Sequence, residues 1–94
     1  MPRAIMSFEQ LAASHRRQNT LRHLAVVTAP VSTDRIMRNM TPDRAGDARE
    51  RQRVRSALRD LAGAGWVVRT DAGWRITPAG RDALARIDAL KAAA

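Results

Sequence analysis

Leu58-Arg59-Asp60-Leu61-Ala62-Gly63-Ala64-Gly65-Trp66-Val67-Val68-Arg69-Thr70-Asp71-Ala72-Gly73-Trp74-Arg75-Ile76-Thr77-Pro78-Ala79-Gly80 is the stretch that decides the fold. Leu58 and Leu61 continue an apolar series with Val54 and Ala57 at helical spacing, which predicts one buried face on a helix over 48–64. Gly63 and Gly65 end it, and Gly65 is the better candidate for a left-handed residue after the last turn. Trp66 to Thr70 reads as a strand, Asp71-Ala72-Gly73 as a tight loop and Trp74 to Thr77 as the returning strand, a hairpin over 66–77. Strand alternation turns Trp66, Val68, Trp74 and Ile76 toward the helices. Thr77-Pro78 then supplies a cap and a first-turn proline for a last helix over 78–92, with Leu84, Ile87 and Leu90 as its stripe.

Upstream, Ser7-Phe8-Glu9-Gln10 has the form of a capping box. The apolar phase set by Phe8, Leu11 and Ala12 changes near Gln18-Asn19, so helices over 7–16 and 17–28, or one kinked helix, are expected. Leu21, Leu24, Ala25 and Thr28 form the second stripe, and Ala29-Pro30 stops it. Ser32 or Thr33 caps a two-turn helix over 33–40 that turns Ile36, Met37 and Met40 inward, and Thr41 to Asp47 is a loop in which Thr41-Pro42 resembles another helix start. The fold class is therefore mostly α with a small β-hairpin, in a single domain over 1–94. The alanines at 92–94 are expected to fray.

The 94 residues carry 17 Lys and Arg against 9 Asp and Glu, a formal charge of +8 that attracts polyanions. Lys91 is the single lysine, and guanidinium suits bidentate phosphate and guanine-edge contacts better than ammonium does. A coding bias toward arginine produces the same composition. The absence of cysteine excludes disulfides, thiolate metal sites and cysteine nucleophiles. Residues 1–7 hold no sustained apolar segment, and the run Leu24 to Val31 falls far short of the ~20 residues of a membrane helix, so a soluble, cytoplasmic protein is expected. His15 and His23 have no companion ligands, and there is no phosphate-binding glycine loop, nucleophile elbow or paired carboxylate, so neither cofactor, metal nor enzymatic activity is expected.

Leu58-x-x-Leu61-x-x-x-Gly65-Trp66-Val67, a short hairpin, and Ile76-Thr77-Pro78-Ala79-Gly80 together resemble the recognition helix, wing and following helix start of winged helix-turn-helix bacterial regulators, over residues 15 to 90. His15-Arg16-Arg17, Leu21-Arg22-x-Leu24 and Arg53-Val54-Arg55 are similar to small winged-helix proteins of Mu-like prophages. The resemblance implies double-stranded DNA binding and transcriptional regulation, with helix 48–64 in the major groove and the hairpin as the wing.

With Val54, Leu58 and Leu61 inward, the opposite face carries Arg49, Gln52, Ser56 and Arg59, flanked by Arg53 and Arg55. Arg49, Gln52, Arg53 and Ser56, toward the helix start, are the base-edge candidates. Ser32, Thr33, Arg35, Arg55, Arg59, Arg69 and Arg75 are the phosphate candidates. Each has a plainer reading. The plainer reading of the arginine face is a solvated surface supported by Asp47, Glu50 and Asp60, and that of Ser32 or Thr33 is an ordinary cap. Trp66 and Trp74 fit core packing better than base stacking, Asp71 at the loop tip weakens a phosphate role for the hairpin, and Phe8, Leu11, Leu84, Ile87 and Leu90 serve either a homodimer or the monomer core. Two other functions stay open: a protein-interaction or assembly module, and a single-stranded nucleic-acid or RNA binder.

Overall fold

The computed structural model describes residues 5–44 and 46–93. It is mostly helical with one small antiparallel hairpin. The order is α1 (Phe8–Ala12), α2 (His15–Val26), α3 (Thr33–Met40), a 3-10 turn (Pro42–Arg44), α4 (Ala48–Gly63), β1 (Val67–Thr70), β2 (Gly73–Ile76) and α5 (Pro78–Ala93). Ala94 and residues 1–4, on which part of the expectations for the two termini falls, lie outside the described residues, as does Ala45 in the 41–47 loop.

Local chemistry sets most of the boundaries. The Ser7 hydroxyl accepts from the Gln10 amide at 3.2 Å while the Gln10 side chain accepts from the Ser7 amide at 2.8 Å, closing the capping box. Ser32 caps α3 by accepting from the Arg35 amide, and Asp47 caps α4 by accepting from Arg49 and Glu50. At the other end of α4, Gly65 adopts φ +81°, the left-handed geometry that lets the chain leave the helix. The Thr77 hydroxyl donates to the Gly65 carbonyl at 2.7 Å and accepts from the Gly80 amide at 3.0 Å, so one side chain joins the α4 exit to the α5 start.

Leu11, Leu21, Leu24, Ile36, Met37, Val54, Leu58 and Leu61 form the dry centre, and Val67, Ile76, Ala83, Leu84 and Ile87 close it from the hairpin and α5. Each large aliphatic side chain among them contributes roughly 1.5–3 kcal/mol by leaving water. Val31 exchanges two backbone hydrogen bonds with Trp74, at 2.9 and 2.8 Å, and so lies as a single-residue third strand beside β2.

Several expectations are corrected. The first two helices meet at Ala13-Ser14, not between 16 and 17, because Ser14 caps α2 and the buried Gln18 amide donates to the Leu11 and Ala12 carbonyls that end α1. The phase change near Gln18 is thus a polar side chain turned inward. Next, α2 ends at Val26, since Val27 is already extended toward the Val31 pairing; Thr28 is exposed and Gln18 and Thr20 take buried places in the stripe. In the hairpin, Trp66 belongs to the turn, its amide donating to the Leu61 carbonyl, and the strand begins at Val67. The pairing Val67 with Ile76 and Val68 with Arg75 therefore puts Val67 inward and Val68 outward, 44% exposed. Gly73 opens β2, which leaves Asp71-Ala72 as a two-residue loop. Finally, Leu90 is 56% exposed, outside the stripe formed by Ala83, Leu84 and Ile87.

Candidate nucleic-acid interface

Helix α4 buries Glu50, Val54, Ala57, Leu58 and Leu61 along one side. The side chains left over divide between two flanks, because α2 covers one edge of the buried stripe while α3 and the hairpin cover the other.

On the α2 flank, Gln52, Arg53 and Ser56 line a shallow groove of about 340 Å³ with Ser14, Arg16, Arg17 and Asp60. Carboxylates hold this side. Glu50, 1% exposed, pairs with Arg16 and lies 3.6 Å from an Arg53 guanidinium nitrogen. Asp60 accepts from Arg17 at 2.7 Å. Glu50 thus meets Arg53 of the exposed face at the expected helical spacing, but it does so from a buried position between α2 and α4.

On the other flank, Arg55, Arg59 and Ala62 face Thr33 at the start of α3 and Arg69 and Trp74 on the hairpin, around a groove of about 480 Å³. Arg69 lies 5.9 Å from the Trp74 ring, its direct cross-strand neighbour. Among the described residues, no carboxylate lines this groove. Three arginines thus line one concave surface with no acidic side chain among its described lining residues, an arrangement whose electrostatics favour an anion over a cation.

The structure thus gathers Thr33, Arg55, Arg59 and Arg69 from the phosphate candidates and Gln52, Arg53 and Ser56 from the base-edge candidates, in two groups on either side of one helix. Arg49 is exposed on the first turn of α4. Arg35 is exposed in the first turn of α3, and the Ser32 hydroxyl is engaged in capping. Arg75 stands apart: paired with Val68 on the outer face of the hairpin, it lines a different groove with Val26 and Arg81. Trp66 and Trp74 are half-buried and both pack on the core, but only Trp74 reaches the arginine groove. Arg16 is the residue that sequence reading missed, since its link to Glu50, 34 positions away, carries no local signal.

Burial, and then the charge of Arg35, lowers the His23 pKa below the usual histidine range, and the buried Nε2 has no hydrogen-bond partner. Among the described residues no group of three or more histidine, cysteine or acidic side chains gathers as a metal site, and no helix is long and apolar enough to cross a membrane. Phe8, Leu11, Leu84 and Ile87 pack into the chain's own core. No family model, curated protein or solved structure matches the chain.

Proposed function

We propose that the chain is a winged helix-turn-helix protein that binds double-stranded DNA sequence-specifically and acts in transcriptional regulation. In this reading α4 enters the major groove, the start of α3 and the β1–β2 hairpin flank it as the second helix and the wing, and Arg55, Arg59 and Arg69 hold backbone phosphates. Gln52, Arg53 and Ser56 reach base edges, with Arg49 at the helix start. The observation that carries the proposal is the convergence of Arg55, Arg59 and Arg69 on a groove without carboxylates, beside an exposed helix face of the width a major groove accepts.

Selection of bound sequences from a random duplex pool, followed by titration across salt, tests it. Enrichment of a defined motif, and affinity that falls steeply as salt rises, are expected. Failure to bind mixed duplexes at low salt would sink the reading in favour of a protein-assembly module. Inverted half-sites in the selected pool would show that two copies bind together.

One observation favours a second reading: Trp74 lines the arginine groove, as a base-stacking residue of a single-strand binder would. Competition among matched duplex, single-stranded DNA and RNA decides between them. Trp74 is held by two backbone hydrogen bonds to Val31 and packs on the core, which supports the duplex reading.

A further inference from the structure

Glu50 is a carboxylate sealed from water at the first turn of α4, and stability alone does not explain it. An ion pair buried in this way contributes little net stability over an apolar side chain of the same volume, because the desolvation cost offsets the attraction. What Glu50 does instead is direct two guanidinium groups that reach outward. One of its oxygens accepts from Arg16 of α2, which fixes the carboxylate plane between the two helices. Its other oxygen makes no hydrogen bond and lies 3.6 Å from Arg53 Nη1, within ion-pair range. The Arg53 side chain is 55% exposed, so its outer nitrogens remain free to meet a ligand while the inner one is drawn toward Glu50.

We infer that Glu50 is a positioning residue for sequence discrimination: braced by Arg16, it holds the Arg53 fork in the direction from which it reads a base edge. The inference rests on the duplex-binding reading above. It sets two physical effects against each other. Removing a negative charge from a DNA-binding face strengthens attraction to any duplex, whereas releasing Arg53 weakens only the interaction that depends on direction.

Glu50→Gln keeps the shape and removes the charge. The expected result, measured against the selected duplex and a shuffled one, is binding to the selected duplex weaker by about tenfold, binding to the shuffled duplex no weaker, and a discrimination ratio reduced accordingly; tenfold lies within the range that one bidentate base contact supplies. Arg53→Lys, a surface change that keeps the charge and loses the fork, should lower the ratio by a similar factor. The double variant should lose no more than either single one. If Glu50→Gln compromises folding in a thermal melt, Arg16→Gln, which removes the brace and leaves the carboxylate, takes its place and should lower the ratio in the same way. An unchanged ratio in Arg53→Lys, additive losses, or a folded Glu50→Gln that binds the selected duplex as tightly as the parent would overturn the inference. Absence of any selected motif for the parent protein would instead remove the duplex-binding reading, and this inference with it.

Discussion

A methyl group at Gly80 would lie 2.1 Å from the Trp66 carbonyl oxygen, a backbone atom that already accepts from the Thr77 amide. Gly80→Ala is therefore expected to destabilise the fold by at least about 3 kcal/mol, seen as a fall in melting temperature of upwards of roughly 10 °C. Gly63, on the last turn of α4, has open space where a Cβ would stand and no positive φ, so Gly63→Ala should stabilise by about 0.5–1 kcal/mol in the same melt. The pair separates a glycine that the packing requires from one that it does not. His23 gives a third test at this scale. Its pKa is lowered in the folded protein, so above the unfolded value of 6.5 both states are neutral and stability is full. As pH falls from there toward the folded pKa, the unfolded chain takes up a proton that the folded one refuses, and stability drops. Melting temperature should decline as pH falls below the unfolded value of 6.5, and His23→Gln should flatten that decline; an equal slope in the two proteins would contradict the assignment.

At the scale of elements, the joint between α1 and α2 depends on one side chain. Gln18 donates at 3.0 and 2.9 Å to the two carbonyls that close a helix of only five residues, a length that does not persist alone in water. Gln18→Ala removes the side-chain donor from both, leaving the Leu11 carbonyl with the Ser14 amide at 3.1 Å, and should cost about 1–2 kcal/mol. Faster hydrogen exchange confined to the α1 amides would show that the loss is local, and uniform acceleration across the chain would show that it is not. The hairpin makes a complementary point. The face of α4 was readable because Val54, Leu58 and Leu61 repeat with the helical period along a long helix. The phase of β1 was not, because a four-residue strand offers two cycles of alternation and two adjacent valines fit either phase equally well. The turn at Gly65-Trp66 selects the phase through the Trp66 amide bond to Leu61.

Over the whole molecule, the net charge of +8 is sorted rather than spread. Glu50, Asp60 and Asp88 take up Arg16, Arg17 and Arg22 between the helices, and Asp34 takes up Arg51, while the groove between α4 and the hairpin is lined by three arginines and no carboxylate. Such sorting leaves the α4–hairpin groove as one surface that attracts a polyanion, apart from the smaller groove that Arg75 and Arg81 line on the outer face. The triple variant Arg55→Gln, Arg59→Gln, Arg69→Gln should melt within a few degrees of the parent, since none of the three sits in the core. On the duplex-binding reading it should also shallow the slope of log affinity against log salt by about 0.9 for each phosphate that is no longer neutralised. A slope unchanged by all three substitutions would place the anion site elsewhere.

The arginine-bearing helix, its buried side, its exit at Gly65 and the presence of a short hairpin after it are determined by the sequence alone, because helical periodicity and glycine punctuation act over a few residues and leave a local trace. The tertiary structure decided which neighbours those exposed side chains meet. Arg53 and Arg55 are two positions apart in the chain, yet one turns to a buried carboxylate braced from α2 and the other to the hairpin groove. Glu50 is local to Arg53, three residues before it, but its burial and its brace from Arg16 are not. Ion pairing and burial depend on partners such as Arg16 with Glu50 and Arg17 with Asp60, 34 and 43 residues apart, which meet only once the helices have packed.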